Sequence, residues 1–212
     1  MPINCSERNA LISESIGKVR NKDTTTADFR VNLKQIGRYL AYEASEFLET
    51  EELVTETPLG IASFKQIKNN IVIITILRAA LPMSDGVLEV LHRAKVGIIS
   101  ASRGKQLQED GKDFRIDSWY SNIPPLNDKI VIVVDPMIAS GSTLLFTLQE
   151  IKNQNPLKII ILCAITSQFG ADRIKKEFPD VEILAGAIDY ELNEKGYIVP
   201  GLGDAGDRAF NT

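Results

Sequence analysis

Residues 130–143 read Ile130-Val131-Ile132-Val133-Val134-Asp135-Pro136-Met137-Ile138-Ala139-Ser140-Gly141-Ser142-Thr143. An apolar, β-branched run stops at a carboxylate. Small, hydroxyl-bearing residues follow, and the apolar positions after them can open a helix. A continuous apolar run of this kind predicts a strand covered on both faces. A buried strand that ends on Asp135 and turns into a helix makes an anion site. The first helical N–H groups have no partner inside the helix, and the helix dipole favours negative charge there. Ser140, Gly141, Ser142 and Thr143 have little bulk, so a phosphate can reach their backbone amides. Asp135 and the hydroxyls are then available to ribose hydroxyls or a metal ion. The stretch points to a sugar-phosphate ligand.

Outward from it, the same strand character recurs at residues 71–77 (Ile-Val-Ile-Ile-Thr-Ile-Leu), 96–99, 159–164 and 181–184. Helix-like stretches at 85–93, 142–152 and 171–178 separate these runs. Strands alternating with helices predict an α/β protein with a doubly wound, mainly parallel sheet. Ligands of such sheets sit beyond the C-terminal ends of the strands, where Asp135 and Arg78 both fall. Before the first strand, residues 7–20 have roughly helical spacing. Phe29, Leu33, Ile36, Leu40, Ala44, Phe47 and Leu48 predict a helix over 28–50, with Thr26 as a candidate cap. Residues 51–58 are ambiguous and possible as an extended segment. Residues 103–129, with Trp119, Tyr120, Pro124 and Pro125, form a long polar connection of the kind that serves as an arm or lid.

Bulk properties narrow the function class. A chain of 212 residues suits one domain, and 44% hydrophobic with 25% charged residues is ordinary for a globular protein. A net charge of -4 argues against a nucleic-acid coat or a membrane-surface protein. Only Cys5 and Cys163 are present, so neither a disulfide framework nor a cysteine metal site is expected, and a reducing cytoplasm fits. Residues 1–8 lack the apolar core of a signal peptide, and no apolar run approaches the ~20 residues of a spanning helix. His92 is the single histidine, which argues against a Ser-His hydrolase or a histidine zinc site.

Three segments together resemble the uracil phosphoribosyltransferase family, within the wider type I phosphoribosyltransferases. They are residues 76–83 (Ile-Leu-Arg-Ala-Ala-Leu-Pro-Met), residues 134–143, and residues 196–208 (Gly-Tyr-Ile-Val-Pro-Gly-Leu-Gly-Asp-Ala-Gly-Asp-Arg). The middle segment alone marks only the wider class; the last is specific to the uracil enzyme. The resemblance implies transfer of the 5-phosphoribosyl group of 5-phosphoribosyl diphosphate (PRPP) to uracil, giving UMP and pyrophosphate, with Mg2+. It implies a single domain over 1–212. The core would span about 71–190, and residues 191–212 with the N-terminal helices would form a hood.

The same resemblance assigns residues. PRPP falls to Arg78, Arg103, Asp135, Pro136, Met137, Ile138, Ala139, Ser140, Gly141, Ser142, Thr143 and Asp204. Uracil falls to backbone groups at Ile198, Gly203, Asp204 and Ala205. Arg78, Asp135 and Asp204 are the catalytic candidates. The protein itself is expected to supply no dedicated metal cage. A homodimer or higher assembly is implied, and some members respond to GTP. Ala80 stands where the family commonly has glycine, and Ser140 and Ser142-Thr143 replace a more usual Thr and Gly-Ser. If the 78–81 loop needs positive φ, Ala80 strains it. Two other readings stay open: transfer to a different base, and a nucleotide-binding regulator without turnover, which needs a basic surface if it acts on RNA.

Overall fold

The computed structural model describes the backbone of residues 1–68, 70–107 and 114–212, and the side chains outside 101–119. In chain order the elements are β1 (Ile3–Asn4), α1 (Ala10–Arg20), α2 (Thr26–Ala44), β2 (Thr50–Thr57), β3 (Gly60–Ile67), β4 (Ile71–Leu77), α3 (Leu81–Val90), β5 (Lys95–Leu107) and β6 (Phe114–Asn122). There follow β7 (Ile130–Val134), β8 (Met137–Ile138), α4 (Ser142–Lys152), β9 (Lys158–Ser167), α5 (Gln168–Glu177), β10 (Glu182–Asp189), β11 (Glu191–Leu192), β12 (Ile198–Val199) and α6 (Ala205–Phe210).

The main sheet runs β1-β10-β9-β7-β4-β5-β6, with β8 also paired to β9. All its pairings are parallel except β5 with β6. The apolar runs explain the double covering. Ile71, Ile73, Ile132, Val134, Ile160 and Leu162 face one core with α1, α2, α3 and α6. Their neighbours Val72, Ile74, Val131, Val133, Ile159 and Ile161 face a second core with α4 and α5. Leu33, fully buried on α2, is typical: truncation to alanine costs about 2–5 kcal/mol.

Local chemistry sets several helix starts. Asn9 caps α1 through Leu11 N–H at 3.1 Å, and Ser167 caps α5 through Gly170 N–H at 2.8 Å. Thr25, one residue before the expected cap, accepts from Asp28 N–H at 3.1 Å and so opens α2. That helix ends at Ala44 and passes through a short 3-10 turn, earlier than the apolar spacing suggests. Residues 50–67 form an exposed antiparallel hairpin, so the ambiguous segment is a strand. The connection after residue 103 is likewise mostly strand: β5 continues to Leu107 and β6 returns beside it as the sheet edge.

Chain order decides where a ligand sits. From β4 the chain crosses by α3 to β5 on one side, and later returns to place β7 on the other side of β4. The crevice between the β4 and β7 ends is the switch point that doubly wound sheets use for ligands. Thr75 pairs with Val134, so Asp135 leaves β7 level with Ile76, and Arg78 follows two residues further along the neighbouring strand.

Candidate active site

The segment after β7 is pinned from behind. Asp135 N–H donates to Leu162 O at 3.2 Å, and Ala164 and Ile165 N–H both donate to Pro136 O at 3.1 Å. Met137 and Ile138 then pair with Ile165 and Thr166 of β9. Ser167 Oγ donates to Ala139 O at 2.5 Å, and Arg173 Nη1 to Ser140 O at 2.7 Å. Donors from β9 and α5 therefore occupy three loop carbonyls that would otherwise repel an incoming anion. Asp135 Oδ1 accepts from Met137 N–H at 3.3 Å. Gly141 stands at the N-cap of α4 with φ +81°, a left-handed conformation that L side chains rarely adopt. It brings no side-chain oxygen to the start of the helix. Ser140 Oγ and Ser142 Oγ lie 2.7 Å apart, so the serine replacements keep hydroxyls at the cradle.

The arginine loop is equally local. Arg78 follows β4 and is exposed. Its Nη2 donates to Thr212 Oγ1 at 3.0 Å, and its guanidinium lies 5.6 Å from the Phe210 ring centre. Ala80 is fully buried with φ -75° and ψ -13°. Right-handed geometry there means alanine is unstrained, and the loop does not need a glycine at that position.

A cleft of about 390 Å³ opens at the switch point, lined by Ala79, Asp135, Pro136, Met137, Ala139, Lys195, Gly196, Tyr197, Asp204, Ala205 and Gly206. A narrow niche next to it is formed by Asp135, Met137, Ile138, Ala139, Gly141, Thr143 and Leu144. The tail expected to read a base thus shares a wall with the strand end expected to hold a sugar phosphate. Asp204 caps α6, its Oδ1 accepting from Asp207 N–H at 3.0 Å. A methyl group built on Gly206 would stand 3.2 Å from Asp204 Oδ1 and 3.9 Å from Arg78 Nη2, so the two side chains flank that glycine.

Not every expected residue lines the cleft. Arg78 is turned toward Thr212 and is not part of the lining; Ile198 and Gly203 do not line the cleft either, and Ser140 and Ser142 line neither the cleft nor the niche. The side chain of Arg103 lies outside the described residues. Ala79, Lys195, Gly196, Tyr197 and Gly206 line the cleft without having been singled out as site residues. Ala79 falls inside the 76–83 segment and Gly196, Tyr197 and Gly206 inside the C-terminal signature, whereas Lys195 sits one residue before it and only the turn reveals it. Asn193 Oδ1 accepts from Lys195 and Tyr197 N–H at 3.0 Å each, which turns the chain over the cleft. Clefts of comparable size occur elsewhere, against β3 and α3, beside Phe178, and between α1 and α2, but none gathers the predicted residues. Cys163 is buried on β9 behind the loop. Burial first, and then the charge of Asp135, push its thiol well above the ordinary range.

A mainly parallel sheet with an acidic strand end, a glycine-opened helix and an arginine just after the adjoining strand has the phosphoribosyltransferase type I fold. The fold is shared with a hypoxanthine-guanine phosphoribosyltransferase from Bacillus anthracis, at 16% identity and a TM-score of 0.51 over 77% of this chain and 82% of that one. The chain belongs to the uracil phosphoribosyltransferase family, whose model matches residues 6–212. A uracil phosphoribosyltransferase from Thermococcus gammatolerans is 46% identical over 208 residues, 96% of this chain and 91% of its own. One from Methanococcus vannielii is 46% identical over 210 residues, covering 96% and 88%. The structure of the AQ2163 protein from Aquifex aeolicus superposes with a TM-score of 0.89 at 39% identity, over 99% of this chain and 98% of that one.

Proposed function

We propose that this chain transfers the 5-phosphoribosyl group of PRPP to uracil, forming UMP and pyrophosphate for pyrimidine salvage. The observation that carries this reading is the shared cleft, which Asp135, Pro136, Met137 and Ala139 line together with Asp204, Ala205 and Gly206. Displacing pyrophosphate from the anomeric carbon needs no protein nucleophile, because the ring oxygen shares the developing positive charge. The chain's tasks are to orient the two substrates, neutralise the leaving group and exclude water.

In this reading residues 139–143 hold the 5′-phosphate on the α4 amides and hydroxyls, and Asp135 holds ribose hydroxyls. Arg78 exchanges Thr212 for the diphosphate, since a guanidinium fork suits phosphate oxygens. Arg103 is assigned there too by family likeness. Backbone groups at Ile198 and Gly203 to Ala205 read the uracil, and Asp204 either orients the ribose or handles the uracil N1 proton. Discrimination comes from polar groups that a wrong base leaves unpaired.

The donor set fits Mg2+. Asp135 and Asp204 offer hard oxygens to one cleft. That composition suits an ion held mainly by substrate oxygens and water. When bound, it supplies positive charge against the diphosphate.

A homodimer or higher assembly is part of the proposal. The β2–β3 hairpin leaves Val54, Leu59, Ile61 and Phe64 exposed, apolar surface that a second copy would cover. A GTP effector rests on family likeness alone, as does the division into a core of 71–190 and a hood. No helix among the described residues is long and apolar enough to cross a membrane. Incubation with PRPP, Mg2+ and each nucleobase separately tests the reaction. UMP from uracil alone is expected; a different nucleotide, or binding without product, refutes it.

A further inference from the structure

The segment that would read the base is gripped from behind by a part-buried ion pair. Asp189 ends β10 and is 6% exposed. Its Oδ1 accepts from Arg20 Nη2 at 2.7 Å, and its Oδ2 accepts from Arg20 Nη1 at 2.8 Å and from Gly201 N–H at 2.9 Å. Arg20 Nη1 also donates to Gly201 O at 2.8 Å. One two-residue unit therefore binds both backbone groups of Gly201. That glycine has φ +57°, and a Cβ there would stand 2.2 Å from Ile198 O.

A second arginine works on the same loop. Arg208 Nη1 donates to Leu202 O at 2.8 Å and to Val19 O, and its Nη2 donates to Asn21 O at 2.6 Å. Its guanidinium stacks 4.4 Å from the Phe29 ring centre. Arg20 is the final residue of α1, and Val19 and Asn21 flank it. The C-terminal end of α1 thus carries the loop, though none of these residues lines the cleft.

We propose that Arg20 and Asp189 are positioning residues for the base, setting the orientation of the peptide groups at Ile198 and Gly203 to Ala205 without touching substrate. This rests on the uracil reading above. Backbone readout has no side chain to adjust, and hydrogen bonds weaken steeply as their angle closes. Residues 200–206 contain three glycines, so the free loop would sample many conformations. Something outside the loop must select one. An ion pair, whether exposed or buried, adds little net stability, so the contribution of this part-buried one is geometry. The planar guanidinium holds both Asp189 oxygens, which fixes the direction of the Nη1 bond to Gly201 O; a flexible ammonium group has no such bidentate anchor.

Arg20→Lys keeps the charge opposite Asp189 and removes the fork. The apparent KM for uracil is expected to rise roughly tenfold, with KM for PRPP within about twofold of the parent and kcat little changed. Hydrogen exchange gives a readout independent of turnover. In the parent, the Gly201 amide should exchange about as slowly as the β10 amides, and in Arg20→Lys roughly tenfold faster, with β4 and β7 unchanged. Unchanged KM values, or both rising together, overturn the proposal. So does a parent Gly201 amide that exchanges at the solvent rate, a result that decides the matter even if the variant does not fold. A parent that uses another base with the same Arg20-dependent KM split would refute the uracil reading and uphold the clamp.

Discussion

Replacing Gly141 by alanine tests the phosphate cradle through its backbone. The residue sits at φ +81°, where an L side chain costs about 1–2 kcal/mol. The added Cβ would stand 3.2 Å from Gly170 O, a contact that α4 can relieve only by moving a few tenths of an ångström from α5. For a domain of this size, 1–2 kcal/mol lowers Tm by about 2–8 °C. The same displacement moves the amides that open α4, and one charge-assisted hydrogen bond is worth about 1.5–3 kcal/mol, so PRPP should bind roughly tenfold or more weakly. The assay is thermal melting with and without PRPP and Mg2+. At one hundred times the parent Kd, PRPP stabilises by about 2.7 kcal/mol; a tenfold weaker variant retains about half of that. A Gly141→Ala protein with the parent's Tm and an undiminished PRPP shift would refute the reasoning.

Three further predictions follow from the same geometry. Arg78→Ala should lose roughly 100-fold or more in turnover, since electrostatic groups aimed at developing charge are worth about 3–4 kcal/mol each; a near-parent kcat removes Arg78 from the site. Cytosine, with an amino group where uracil has O4, should be turned over at far lower kcat/KM in parallel initial-rate assays; comparable efficiency contradicts backbone recognition of uracil. The third concerns alkaline stability. Burial and then Glu43 push the Cys5 thiol up to about 11, and Cys163 is raised as well. Both stay protonated in the folded state after the unfolded chain ionises, so stability is unaffected below about pH 8.5. It then falls as pH rises, by up to ~1.4 kcal/mol per pH unit per thiol. Urea melts at pH 7.5 and 10 should show a smaller loss in Cys5→Ala/Cys163→Ala; equal losses would discount the thiols.

What sequence alone revealed had a burial signature. Ile71 to Leu77 and Ile130 to Val134 announce doubly covered strands because nothing polar interrupts them. The place of Asp135 at a strand end beside the cleft is legible because it ends such a run, and the tail stands out because its thirteen-residue signature is too long for a chance turn. The β2–β3 hairpin is hidden because both its faces meet solvent, leaving no apolar period to read. Lys195 is placed by an Asn193 turn, which spacing does not disclose. Arg20 and Asp189 lie 169 positions apart, and only the fold brings α1 beside the end of β10. Ala80 shows the reverse: a departure from family habit that carries no strain, because the backbone there is right-handed.

A structure of the protein with UMP bound tests the central claim most directly. The account predicts the phosphate on the amides and hydroxyls of residues 139–143 and the uracil ring against backbone groups at Ile198 and Gly203 to Ala205. A nucleotide seated away from Asp135, or a base held by side chains elsewhere with the 201–205 backbone empty, would contradict it.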